Sequence, residues 1–218
     1  RHDARGLVVL HRGELVLEWY GDHGDPSRRH LCYSVTKSLT GTLAAIAVHA
    51  GLLDRSARVG DVLPELASSG FGDASVSDVA DMTASIGYDE DYDDAERGAN
   101  VDGTRLGFGD YMAAVGLVPP EVADRPGARS LRRLLVAVGA GPTGHGEVFA
   151  YATPVTDALA WLLERTAGRP YAELLRDGLW ADVGAEEGVS LLVDPGGTPP
   201  AGGGRQAPHR GRARVGHL

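Results

Sequence analysis

A serine and a lysine stand three positions apart in the segment Ser34-Val35-Thr36-Lys37, at the start of a helical pattern. Residues three apart on an α-helix lie on one face, so the two side chains can touch. A serine hydroxyl is a poor nucleophile unless a base lies beside it, and a desolvated lysine can act as that base. The spacing predicts a nucleophilic Ser34 activated by Lys37, at a helix N-terminus whose N–H groups can stabilise an oxyanion.

Lys37 is the only lysine of the chain, which has 20 arginines. Arginine keeps its proton at working pH whereas lysine can lose it, so the single lysine favours a chemical role. The alternative is structural: a serine before a helix is commonly an N-cap, and a lysine in the first turn is commonly solvated. An isolated Ser-x-x-Lys pattern is typical of that alternative, because so short a motif recurs by chance.

The elements that position this pair can be predicted from the apolar pattern. Residues 7–10 and 15–20 are rich in β-formers and predict an antiparallel hairpin. Apolar residues at helical spacing predict a helix over residues 34–50, with one buried stripe. The members of that stripe are Leu39, Leu43, Ile46, Ala47 and Ala50.

Further helices are predicted over residues 76–84, 129–138, 153–168 and 171–179. In the third of these, Thr153 is the expected N-cap, Pro154 suits the first turn and Gly168 suits the position after the last turn. An initial hairpin followed by helices, without β–α–β alternation, predicts an α+β fold in which an antiparallel sheet packs against helices.

The composition limits the possible functions. The chain has 218 residues, 43% hydrophobic and 23% charged, which is ordinary for a globular domain. Its net charge of −9 disfavours nucleic acid and anionic membranes as partners. Cys32 is the only cysteine, so no internal disulfide can form. No apolar run approaches the ~20 residues of a membrane span and no signal peptide is visible, which favours the cytoplasm.

The segment from Tyr33 to Gly41, Tyr-Ser-Val-Thr-Lys-Ser-Leu-Thr-Gly, closely resembles the nucleophile motif of the serine β-lactamase-like family. That family includes class C β-lactamases, DD-peptidases, family VIII-type esterases and 6-aminohexanoate-dimer hydrolase. Residues 51–54, 62–66, 79–85, 149–153 and 162–168 resemble successive later segments of the family, most closely those of 6-aminohexanoate-dimer hydrolase. The resemblance extends over about residues 6–204 and implies a β-lactamase/transpeptidase-like fold with a helical lobe.

Tyr151-Ala152-Thr153 resembles the second motif of the family, a tyrosine followed two positions later by asparagine or a small residue. The resemblance implies that Tyr151 lies over the Ser34 hydroxyl and shares proton transfer with Lys37. It also implies a substrate-binding role for Thr153, although N-capping explains that residue without any chemistry and is the favoured interpretation. Without the family motif, Tyr151 is explained as a half-buried tyrosine ahead of a helix.

Residues 88–110 are acidic and contain glycine, which predicts a long loop. The run from Asp89 to Asp94 lacks the glycine and the closing glutamate of an EF-hand loop, so a solvated loop is favoured over a calcium site. The resemblance implies that Tyr92 is a loop tyrosine that closes on the substrate. No metal or organic cofactor is expected.

Residues 195–218 contain arginine, histidine, proline and glycine but no acid, and the family resemblance fades after Gly204. We expect a partial hydrolase domain over residues 1–204 and a basic irregular tail over 205–218. Either a solvated basic tail or a shifted reading frame would explain this composition. The third family motif, a Lys-Thr-Gly or His-x-Gly strand, is not found. The expected function is a serine hydrolase for a small amide or ester; the alternatives are a catalytically impaired or acyl-binding fragment and, less favoured, a cell-wall peptide sensor.

Overall fold

The computed structural model describes residues 4–92, 105–117, 129–185 and 188–216. Within these ranges the helices are α1 (Val35–His49), α2 (Val59–Val62), α3 (Val76–Ala80), α4 (Phe108–Ala114), α5 (Leu131–Ala137), α6 (Thr153–Ala167), α7 (Tyr171–Leu175) and α8 (His209–Val215). A 3-10 turn, Pro64–Leu66, follows α2, and a π-helical turn, Arg176–Trp180, continues α7. No helix among the described residues is both long and apolar enough to cross a bilayer.

The predicted hairpin is present as β1 (Gly6–His11) and β2 (Glu14–Tyr20), paired antiparallel. Its two-residue connection is Arg12-Gly13, and both residues have positive φ, 51° and 82°. Two positive φ values match the twist of the flanking strands, and a glycine at the second position takes this conformation without a Cβ penalty.

A second, three-stranded antiparallel sheet has the order β3 (His30–Leu31), β7 (Arg205–Ala207), β6 (Ser190–Leu191). Its middle strand comes from the segment that the sequence analysis assigned to an irregular tail, and α8 then packs against β1. The expectation of an irregular tail is therefore wrong for residues 205–215, while the division into domains at residue 204 stays a prediction.

Two arginines of this segment are fixed by specific contacts, which explains how so basic a composition can be ordered. Arg210 makes a two-pronged ion pair with Glu18 of β2, with N···O distances of 2.7 and 2.6 Å. That pair holds the pKa of Glu18 down at about 2. Arg205 is buried with its guanidinium 4.0 Å from the centre of the Trp180 ring, a cation–π contact, and desolvation lowers its pKa to about 10.

The prediction of a long loop over residues 88–110 is wrong at both ends of that segment. β4 (Tyr88–Asp89) pairs in parallel with β5 (Leu106–Gly107), and α4 begins at Phe108. Residues 93–104, which include Asp93 and Asp94 of the acidic run, lie outside the described residues.

The core lies where α1 and α6 pack against each other. α1 buries Leu39, Leu43 and Ala47 as the apolar stripe predicts, but Ile46 is 44% exposed and Ala50 is exposed as well. The buried face instead includes Thr40, whose hydroxyl lies 2.8 Å from the Tyr171 hydroxyl and donates to the Ala201 carbonyl at 3.1 Å. The buried face is therefore rotated towards polar partners on α7 and on the segment before β7.

Candidate active site

Ser34 stands at the N-cap position of α1 and its side chain makes no capping hydrogen bond. The preceding Tyr33 has φ of 45°, a strained value for a bulky residue, and such strain clusters at functional sites. Among the described residues, the Ser34 N–H has no acceptor, as is usual for the first turn of a helix. The nucleophile predicted from the sequence is thus exposed, next to a free backbone donor.

Lys37 lies one turn further along α1, and its Nζ contacts three oxygens. The distances are 3.1 Å to Ser34 Oγ, 3.0 Å to Thr153 Oγ1 and 2.7 Å to the Gly202 carbonyl oxygen. The lysine is partly buried between α1, α6 and the chain before β7. The predicted contact between Ser34 and Lys37 is therefore present, and Lys37 also links three separate elements.

Tyr151 lies just before α6 and donates from its hydroxyl to Ser34 Oγ at 2.6 Å. Its ring also faces Lys37, with Nζ 4.9 Å from the ring centre. The backbone before Tyr151 is fixed to the segment that follows α3, because the Ala150 N–H donates to the Met82 carbonyl at 2.9 Å. The structure thus brings together the three residues for which the sequence suggested proton transfer.

Thr153 is not the N-cap of α6, which corrects the favoured interpretation of this residue. Ala152 occupies the N-cap position with extended backbone, and Thr153 is the first helical residue. Its N–H donates to Glu90 Oε2 at 2.7 Å and its hydroxyl donates to Glu90 Oε1 at 2.5 Å. The carboxylate of Glu90 takes the place of a side-chain cap, where the helix dipole favours negative charge.

Glu90 is a candidate site residue that sequence reasoning missed. It belongs to the acidic run, which composition alone assigns to a solvated loop. The available signal was its position two residues before Tyr92, whose implied role already placed this loop beside the substrate. In the structure, the Tyr92 hydroxyl donates to Glu90 Oε1 at 3.3 Å.

Gly202 connects Lys37 with a buried acid. Its N–H donates to Asp157 Oδ1 at 3.0 Å, while its carbonyl accepts from Lys37. A Cβ at this position would lie 2.5 Å from Thr153 Cγ2, so only glycine allows the chain to pass this close to α6. Burial raises the pKa of Asp157 to about 7, although the Gly202 N–H, the Tyr111 hydroxyl and the charge of Lys37 act in the opposite direction.

A cavity of about 620 Å³ opens beside Ser34 and Lys37. One wall is aromatic: the ring of Tyr92 meets Phe108 edge-on at 4.8 Å, and Phe108 stacks on Tyr111 with 6.1 Å between ring centres. Tyr92 is 57% exposed, at the mouth of this cavity. The predicted substrate contacts Tyr92 and Thr153 therefore both line the space next to the serine.

Comparison with known proteins decides the family. The Beta-lactamase family model matches residues 2–218. The chain belongs to the Beta-lactamase family. It is 34% identical over 212 residues to the 6-aminohexanoate-dimer hydrolase of Paenarthrobacter ureafaciens, a match that covers 97% of this chain and 50% of the relative.

Solved structures of Beta-lactamase-family proteins have the same fold. A Bacillus anthracis protein assigned provisionally as a 6-aminohexanoate-dimer hydrolase superposes with a TM-score of 0.84 at 25% identity, over 98% of this chain and 53% of the other. A class C β-lactamase of Rhodobacter sphaeroides gives a TM-score of 0.62 at 19% identity, over 98% and 60% of the two chains.

The family resemblance and the β-lactamase/transpeptidase-like fold expected from the sequence are confirmed. The match continues through residue 218, further than the motif comparison predicted. The chain spans about half the length of the curated relative that it matches.

Proposed function

We propose that this chain carries the nucleophile, base and proton-relay residues of a serine hydrolase that cleaves a small amide or carboxylic ester through an acyl-serine intermediate. The observation that carries the proposal is the convergence of Lys37 Nζ and the Tyr151 hydroxyl on Ser34 Oγ, at 3.1 and 2.6 Å. Both groups can exchange a proton with the nucleophile. Lys37 belongs to α1, and Tyr151 lies two residues before α6.

The contacts of Lys37 suit a neutral amine as well as an ammonium. The Gly202 carbonyl can only accept, and Thr153 also acts as an acceptor because its own proton is used on Glu90. A neutral lysine has two N–H groups, which these two acceptors occupy, so its lone pair is left for the Ser34 hydroxyl proton. After proton transfer, the ammonium donates to all three oxygens.

The proposed acylation begins when Ser34 Oγ bonds to the substrate carbonyl carbon and its proton passes to Lys37. The Ser34 N–H contributes one hydrogen bond to the resulting oxyanion. Tyr151 gives its proton to the leaving nitrogen or oxygen as that bond to carbon breaks, and Lys37 returns the proton to Tyr151. Water then attacks the carbonyl carbon of the acyl-serine, and its proton passes through the same pair of residues to Ser34 Oγ as the bond between Oγ and the acyl carbon breaks. The acid product is released and the free serine is restored.

The substrate class rests on the relatives and on the cavity. The relative that is 34% identical is named as a 6-aminohexanoate-dimer hydrolase. A 6-aminohexanoate dimer is a small linear amide, which favours such amides or esters over β-lactams for this chain. The aromatic wall formed by Tyr92, Phe108 and Tyr111 supports an apolar acyl or leaving group in the adjacent space.

The test is labelling of the chain with a fluorophosphonate and with a p-nitrophenyl ester, followed by peptide mass spectrometry. We expect a single acylated residue, Ser34, and loss of that label in Ser34→Ala. Ser68→Ala is the matched control, since Ser68 is exposed on a surface away from the cavity, and it should label like the wild type. Equal labelling of Ser34→Ala would refute the assignment.

A catalytically impaired fragment gives a different result in the same experiment. It forms the acyl-serine slowly and stoichiometrically, without turnover. The observation behind this alternative is that the third family motif, a Lys-Thr-Gly or His-x-Gly strand, is not found in the sequence. Burst amplitude and steady-state rate of p-nitrophenol release separate the two outcomes, because a hydrolase releases more than one equivalent.

A further inference from the structure

Four residues form a continuous chain of hydrogen bonds that ends at the nucleophile. Glu90 Oε1 accepts from the Thr153 hydroxyl, Thr153 Oγ1 accepts from Lys37, and Lys37 Nζ lies 3.1 Å from Ser34 Oγ. The same Glu90 carboxylate accepts from the Thr153 N–H through its other oxygen at 2.7 Å. Thr153, the middle member of the series, is buried.

We propose that Glu90 is a positioning residue. It determines which partner donates in each hydrogen bond of this series, and so keeps the Lys37 lone pair aimed at Ser34. A carboxylate has no proton to donate, so the Thr153 hydroxyl must point its hydrogen at Glu90 and its lone pairs at Lys37. Lys37 must in turn donate to Thr153, and it also donates to the Gly202 carbonyl. Ser34 is then the one contact of the neutral amine that can supply a proton to it. This inference rests on the proposed serine hydrolase function and names a further residue for it.

The substitution Glu90→Gln keeps the shape of the side chain but reverses the donor and acceptor roles of the Thr153 hydroxyl. Thr153 N–H requires an oxygen, so the amide oxygen takes the Oε2 position and the amide NH2 faces Thr153 Oγ1. The amide then donates to the Thr153 oxygen, and the Thr153 hydroxyl proton points at Lys37. Because Lys37 now accepts from Thr153, its lone pair is no longer available to Ser34.

The experiment is a double-mutant cycle on the rate of Ser34 acylation by a p-nitrophenyl ester. The four proteins are the wild type, Glu90→Gln, Thr153→Val and the double variant, each measured from pH 6 to 10. We expect Glu90→Gln to slow acylation by about tenfold or more, within the range of a lost general-base contribution. In the Thr153→Val background, Glu90→Gln should have almost no further effect, because the hydroxyl that transmits the change is gone.

The control is Asp89→Asn, which removes the neighbouring negative charge from an exposed side chain of β4 outside the cavity lining. It should acylate like the wild type. Thermal melts of all variants separate loss of fold from loss of rate.

Two results would overturn the inference while leaving the proposed function intact. One is a wild-type protein that labels at Ser34 and a Glu90→Gln variant that labels at the same rate. The other is a Glu90→Gln effect of equal size with and without the Thr153 hydroxyl, which would mean that Glu90 only anchors the N-terminus of α6. A wild type that does not acylate at Ser34 would instead refute the proposed function.

Discussion

Replacing Asp157 by asparagine should stabilise the protein at alkaline pH and leave it almost unchanged at acid pH. Asp157 is buried on α6, and its Oδ1 accepts from the Gly202 N–H. An asparagine can keep that hydrogen bond through its own oxygen and place its NH2 near the Tyr111 hydroxyl, a buried neighbour that can accept. The variant therefore removes the ionisable proton with little change of shape.

The magnitude follows from the pKa of Asp157, which burial raises from an ordinary 3.8 to about 7 in the folded protein. Between these two pH values the folded state holds a proton that the unfolded state has lost. The free energy of unfolding of the wild type therefore falls as pH rises through this window, by about 1.4 kcal/mol per pH unit. The full separation corresponds to about 4 kcal/mol, an upper bound for the gain of Asp157→Asn above pH 7.

The assay is urea unfolding followed by tryptophan fluorescence, since Trp161 and Trp180 are buried in the core. Both proteins are measured at half-unit steps from pH 4.5 to 8.5, and the difference in unfolding free energy is plotted against pH. Other titrating groups contribute equally to both proteins and cancel in the difference. We expect the unfolding free energy of Asp157→Asn minus that of the wild type to rise with pH and to level off near pH 7.

A difference that is flat with pH, or that favours the wild type at pH 8, would refute the reasoning. Asp194→Asn provides the contrast, because Asp194 is also buried but accepts three backbone N–H groups, from Leu131, Gly196 and Thr198. Both carboxylate oxygens of Asp194 accept from backbone N–H groups, so in either orientation the NH2 of an asparagine faces a group that can only donate. That variant should lose about 1–3 kcal/mol of unfolding free energy at every pH.

Three further variants test the site. Lys37→Arg keeps the positive charge but cannot accept the serine proton, so Ser34 acylation should fall by about 100-fold or more; a variant that keeps most of the rate would contradict the base role. Tyr151→Phe should slow cleavage of an alkyl ester or amide more than that of a p-nitrophenyl ester, because nitrophenolate leaves without a proton, and equal losses on both substrates would count against proton delivery by Tyr151. Gly202→Ala places a Cβ 2.5 Å from Thr153 Cγ2 and should cost about 1–3 kcal/mol of unfolding free energy, measured by urea unfolding; an unchanged midpoint would show that the contact is relaxed at no cost.

The parts of the site that local geometry governs could be predicted from the sequence. Ser34 and Lys37 are one helical turn apart, and a helix of this length needs only its own apolar stripe to be recognised. Tyr151 is 117 positions from Ser34 in the chain, so no periodicity connects the two, and only resemblance to a family suggested the contact. Glu90 had only its position near Tyr92 as a signal and Gly202 had none, because long-range packing brings Glu90 to Thr153 and Gly202 to Lys37.

Two wrong predictions have physical causes. Thr153 followed by proline has the composition of a helix start, but a cap is defined by which group satisfies the first N–H donors, and Glu90 from a distant segment does so here. The segment after Gly204 was judged by its charge. A charged residue can be ordered within a fold when its charge has a partner. Here Arg205 stacks on Trp180 and Arg210 pairs with Glu18.

The same comparison explains why one lysine persists among 20 arginines. At Arg205 and Arg210 the planar guanidinium itself makes the contact, by stacking on Trp180 and by a two-pronged pair with Glu18. At position 37 the three oxygens surround a single nitrogen at 2.7 to 3.1 Å, and a guanidinium, which spreads its donors over three nitrogens, does not fit one such point. The proposed mechanism also requires a group that can exist with and without its proton while keeping the same neighbours. Only an amine meets both conditions, so the geometry and the proposed chemistry require lysine at this position independently of each other.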